Sequence, residues 1–244
     1  QKIFKSIFNP YYMIYLKHTL DWFQFPSLVI DLFSFIVLFL IGLVSLKYYK
    51  LNKNKKSLYL SISFSFIAIS FLFKLLTNVA MFYDDLINPA NTQIVIQTLQ
   101  TIRGYNIFSN LTFTVFAFFN LIGLYLLYKL YQGKQTYSSV FLMSYFILIS
   151  TYFSNSNYYI FHLTSLIFLI SISSFYWKKY SENLFINTKL LALSFSIIAA
   201  SQLFFIFTTF GKLFYLTGEI IQLGGYALLL LIITHIQKNG KKKI

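Results

Sequence analysis

The sequence predicts an all-α polytopic membrane protein: a bundle of seven transmembrane helices, N-terminus outside and C-terminus cytoplasmic. Three observations carry this. Apolar residues make up 57% of the 244 residues and charged residues only 11%, where soluble domains carry about 25% charge. The apolar residues fall into seven runs, each near the roughly 20 residues that span a bilayer core. Lysine and arginine gather in alternate loops, the pattern that fixes membrane orientation. The same figures exclude a soluble globular domain and a disordered chain. The expected organisation is an outer interfacial amphipathic segment at 1–24, the helix bundle at 25–236 and a basic cytoplasmic tail at 237–244.

In chain order, residues 1–24 place Ile3, Phe4, Ile7, Phe8, Tyr11, Tyr12 and Tyr15 at helical spacing beside Lys2 and Lys5. That composition suits a helix lying on the membrane surface, broken or kinked at Pro10. No uninterrupted apolar core of a cleavable signal peptide is evident there. The spans are expected at 25–46, 57–83, 107–129, 137–155, 158–177, 189–210 and 213–236. In lipid each must satisfy its own backbone hydrogen bonds, which selects helices. Between the second and third, residues 91–103 predict a short interfacial helix ending at Gly104. The basic residues Lys47–Lys56, Lys129, Lys134, Lys178, Lys179, Lys189 and Lys238–Lys243 all lie on the side of the C-terminus. Only Lys2, Lys5, Lys17, Arg103 and Lys212 lie opposite, so the C-terminal side is cytoplasmic. The net charge of +14 therefore reads as topology and contact with anionic lipid, not nucleic-acid binding.

Ionisable groups inside the spans are the strongest functional signal, because each costs about 2.5–3.5 kcal/mol on insertion scales. There are three: Asp31 in span one, Lys74 in span two and Glu219 in span seven. At 1.5 Å rise per residue, Asp31 and Glu219 lie about 9 Å from the outer edge and Lys74 about 13 Å. A lysine stem covers that difference, so pairing is possible. Uncharged polar residues lean to the same side. Asn78 shares the face of Lys74, His162 opens span five, and Gln202 sits in the outward part of span six. Tyr215, Glu219, Gln222 and Tyr226 form one stripe on span seven. These residues predict an outward-facing polar cavity lined by spans one, two, five, six and seven, with Asp31, Lys74, Asn78, His162, Gln202, Tyr215, Glu219 and Gln222 as ligand-binding candidates. The competing reading is interhelical glue, with Asp31, Lys74 and Glu219 as a structural salt bridge.

Other chemistry finds little support. With no cysteine, disulfides and thiolate sites are excluded. His18, His162 and His235 are too far apart along the membrane normal to share a metal, and no metalloprotease, nucleophile-elbow or phosphate-loop motif occurs. Asp84-Asp85 reads as a solvated loop pair. No metal and no cofactor is expected, and catalysis is the minor hypothesis. Gly218, Gly224 and Gly225 predict close helix packing on span seven.

Span seven carries Tyr215-Leu216-Thr217-Gly218-Glu219 and then Gln222-Leu223-Gly224-Gly225-Tyr226. This stretch resembles the last helix of seven-span sensor regions in archaeal and bacterial signalling proteins; elsewhere the resemblance rests on span number and orientation. It implies a receptor-like or sensor-like subunit in the cell membrane that signals through a membrane or cytoplasmic protein partner. A lysine at mid span seven, the mark of retinal proteins, is missing. Two further readings stay open: an accessory subunit of a larger membrane complex, and a cation- or proton-coupled transporter.

Overall fold

The computed structural model describes the chain at residues 24–87, 95–132, 137–154 and 156–240. The segment expected on the membrane surface, 1–24, lies outside these but for Gln24, as does the end of the basic tail from 241. Seven α-helices make up the described chain: α1 (Gln24–Asn52), α2 (Lys55–Ile87), α3 (Val95–Gln132), α4 (Tyr137–Ser154), α5 (Tyr158–Asn183), α6 (Ile186–Ile206) and α7 (Lys212–Gly240). A 3-10 turn at Phe207–Phe210 joins the last two.

Six of these, all but α4, are long and apolar enough to cross a membrane. The chain is thus a helical bundle suited to a lipid bilayer. In α4 the apolar part is Val140–Ser154, which reaches only about 22 Å against a core of about 30 Å. The short separate helix expected at 91–103 is not separate. From Val95 onward the residues belong to α3, which continues through Gly104. Glycine weakens a helix by about 1 kcal/mol but keeps its backbone N–H, so the hydrogen-bond ladder survives it.

Helices adjacent in sequence are not always adjacent in space. Six helices form a closed ring in the order α1, α2, α3, α5, α6, α7 and back to α1, while α4 packs from outside against α3 and α5. The ring encloses Leu38, Ile41, Phe64, Ile67, Phe71, Leu121, Ile172, Ile198 and Leu229, all essentially inaccessible. Glycines let the helices approach closely. A Cβ on Gly123 of α3 would strike the Ile67 side chain and the Ser63 carbonyl of α2, and one on Gly225 of α7 would strike Ile198 of α6. A Cβ on Gly218 would press on Phe205, whereas Gly224 faces open space. Packing thus accounts for two of the three span-seven glycines.

Two connections use left-handed residues other than glycine. Lys53 follows α1 with φ 52°, and Leu184 follows α5 with φ 51°. Their N–H groups donate to Tyr49 O (2.7 Å) and Tyr180 O (2.8 Å), which closes the last turn of each helix. Asn54 Oδ1 then accepts from the Lys56 N–H (3.0 Å), capping the start of α2.

Candidate functional site

The first turns of α1, α5 and α7 and the far ends of α2 and α6 lie at one end of the ring, and there the three intramembrane charges meet. Lys74 Nζ donates to Asp31 Oδ1 at 2.7 Å and to Glu219 Oε1 at 2.9 Å. Two more donors complete the cluster: Asn78 Nδ2 to Asp31 Oδ2 at 2.7 Å, and Ser27 Oγ to Glu219 Oε1 at 2.8 Å. Helical spacing arranges this. Ser27 and Asp31 are one turn apart on α1, as are Lys74 and Asn78 on α2, so each pair shares a face. The second carboxylate oxygen, Glu219 Oε2, is buried and has no partner.

Electrostatically, the centre sets one amino group against two carboxyl groups. Asp31 and Glu219 are each 1% exposed and the Lys74 side chain 13%. Paired geometry this close is what offsets the loss of hydration for buried ions. Aromatic rings provide further contacts for the cation. Lys74 Nζ lies 5.4 Å from the ring centre of Tyr215, 5.7 Å from Phe71 and 5.9 Å from Phe205, all within cation–π range.

A second polar node lies alongside. His162 Nδ1 and Gln202 Oε1 are 2.8 Å apart, joining α5 to α6. The imidazole stacks on Phe205 at 4.7 Å and packs against Tyr158 at 4.4 Å. Phe205 therefore touches both nodes. Gln222 Nε2 donates to the Tyr226 hydroxyl at 3.3 Å.

The candidates thus sort into groups. Asp31, Lys74, Asn78 and Glu219 form one hydrogen-bonded centre with Tyr215 against it; His162 and Gln202 form a separate pair; Gln222 joins Tyr226. Ser27, Phe71, Phe205 and Tyr158 were not marked by sequence reasoning. Ser27 is four residues before Asp31, Phe71 three before Lys74 and Tyr158 four before His162, so the helical period was the available signal. Asn110, near the same end on α3, is exposed.

The cavity differs from expectation. Its walls come from α2, α3, α5, α6 and α7 and include Phe116, Asn120 and Leu124 of α3, but no residue of α1. The space a water's centre can occupy is about 20 Å³, enough for one or two waters and not for an organic ligand. Among the described residues the charged centre is a buried bridge beside a space of about water size. Among the described residues no three His, Asp or Glu side chains gather as metal ligands. Comparisons with protein-family models, curated proteins and solved structures give no match.

Proposed function

We propose that the chain is a seven-span membrane protein, N-terminus outside and C-terminus cytoplasmic, that acts as a receptor-like or sensor-like subunit. In this reading α4 is the seventh span, and the charged centre lies in the outer half of the bilayer. The observation that carries the proposal is the convergence of Asp31 of α1 and Glu219 of α7 on the single Lys74 of α2. Three helices are held together by one charge balance, with carboxylate in excess and one oxygen unpartnered. A small cation or hydrogen-bond donor arriving there changes that balance and so shifts the packing of α1, α2 and α7. A membrane or cytoplasmic partner reads the shift at the basic, cytoplasmic face.

The absence of cysteine makes the test direct. Nitroxide labels on Leu51→Cys and Thr234→Cys, both exposed and far from the centre, report the spacing of α1 and α7. Glu219→Gln and Asp31→Asn are expected to move the distance distribution between the labels. Unchanged distributions in both variants, with the fold intact, would mean that the centre does not set the state of the bundle.

The near-complete burial of both carboxylates favours one second reading. In it the centre is a permanent clasp and the chain an accessory subunit of a larger membrane complex. The same unchanged distances, combined with a large loss of stability on breaking the bridge, would select it.

A further inference from the structure

Two buried polar atoms on α5 stand without a hydrogen-bond partner: His162 Nε2 and Ser165 Oγ. They sit three residues apart on the same helix face. His162 is 3% exposed and Ser165 1%, and both residues line the small cavity. An unpaired polar atom at such depth is costly, and native proteins satisfy it with protein groups or ordered water.

We propose that this cavity is a hydration site. One or two ordered waters link His162 and Ser165 to the charged centre through Lys74. Donor and acceptor inventory supports the connection. Gln202 Nε2 donates to Ser201 Oγ at 3.3 Å, which orients Gln202 Oε1 toward His162 as an acceptor. His162 Nδ1 then carries the proton it donates, and Nε2 of the neutral ring is a lone-pair acceptor. Water supplies the missing O–H. Lysine has three N–H donors, of which Asp31 and Glu219 take two. Lys74 also lines the cavity, so its third N–H has a water oxygen to reach. Ser165 Oγ both donates and accepts. A water here therefore meets at least two polar partners in a space of suitable size, the condition for an internal water rather than a dry void. The ligand is water itself: the space is of water size, and the rest of its wall sets the rings of Phe71, Phe116 and Phe205 beside the polar side chains of Asn120, Tyr158 and Gln222. The consequence is a hydrogen-bonded path from Glu219 through Lys74 and water to His162 and Gln202, joining two nodes that make no direct bond. This does not depend on the sensor reading, since a permanent clasp would hold the same water.

Hydroxyl-radical footprinting by X-ray pulses tests it on the intact protein, because radicals form on bound water and oxidise the side chains beside it. Phe161 and Phe205, each 2% exposed, are expected to label several-fold faster than Phe64, which is 1% exposed and lies away from the cavity. Equal labelling of all three would overturn the proposal. Ser165→Val and His162→Phe each remove one polar partner and add apolar bulk. Either variant that folds should lose the excess labelling at Phe161 and Phe205. Excess labelling that persists in both would show that these atoms do not hold the water, and would equally overturn the assignment.

Discussion

The two ends of the helix ring are held by different physics. At the charged end, side chains bond across helices: Ser27 and Lys74 to Glu219, Asn78 and Lys74 to Asp31, Thr77 to Thr112 at 2.6 Å, His162 to Gln202. At the opposite end the bonds between helices among the described residues involve only uncharged groups, Ser173 to Ala192 O at 3.2 Å and Trp177 Nε1 to Ser196 Oγ at 3.2 Å, and other buried serines mostly turn back on their own helices. Ser63 donates to Tyr59 O and Ser194 to Leu190 O, while Ser61 reaches the Gly42 carbonyl of the neighbouring helix at 2.8 Å. There the fit of Gly42 and Gly123 against α2 sets the packing. In lipid, association rests on close packing and interhelical hydrogen bonds, because burying apolar surface there has little driving force. This molecule weights the two differently: charged groups bond across helices at one end, and glycine packing with uncharged hydrogen bonds holds the other.

The largest expected effect breaks the charge-held end. Lys74→Met leaves two buried carboxylates without a counter-ion and should destabilise the bundle by about 3–5 kcal/mol, measured by reversible unfolding in detergent. The triple variant Asp31→Asn, Lys74→Met, Glu219→Gln removes the charges together and should recover most of that loss. If the triple is no more stable than the single, charge balance is not what holds this end. At the shape-held end, Gly123→Ala forces Ile67 or the α2 backbone to move and should cost about 1–3 kcal/mol. Its control, Gly224→Ala on the open face of α7, should carry no packing cost and stabilise the helix by up to about 1 kcal/mol. A smaller effect of opposite sign is expected at the connections of the shape-held end. Leu184→Gly relieves a left-handed conformation that costs other residues about 1–2 kcal/mol, and should raise the melting temperature. An unchanged or lower melting temperature would show that the side chain of Leu184 contributes more than its backbone conformation costs.

Much of this was legible in the sequence. Helix positions followed from apolar runs and their polar borders, and the similar depth of Asp31, Lys74 and Glu219, with the reach of a lysine stem, made their pairing possible. Rotation about each helix axis was not legible. In a soluble helix the buried stripe is apolar and the exposed one polar, so periodicity marks the inner face. Here both faces are apolar: Phe33 and Phe39 of α1 are exposed while Leu38 and Ile41 are buried. For that reason Asn110 and Asn120, both on α3, could not be told apart as exposed and buried. The displacement of α4 from the ring was hidden for the same cause: the tight turn at 154–157 set this span apart, but its exposed Phe141 and Tyr152 did not mark which face it buries. Ser27 was hidden by number, one serine among many, although its position one turn before Asp31 marked it.

The bond from Ser27 to Glu219 spans 192 residues of chain, so the charged centre joins segments far apart in sequence. Asp31 and Lys74, 43 residues apart, can neutralise one another as soon as the first hairpin is made. Glu219 lies 145 residues after Lys74, on the helix that fills the seam between α1 and α6. α7 is therefore the closing member of the ring: without it, Asp31 and Lys74 still offset one another across a hairpin, but α6 and α1 have no helix between them.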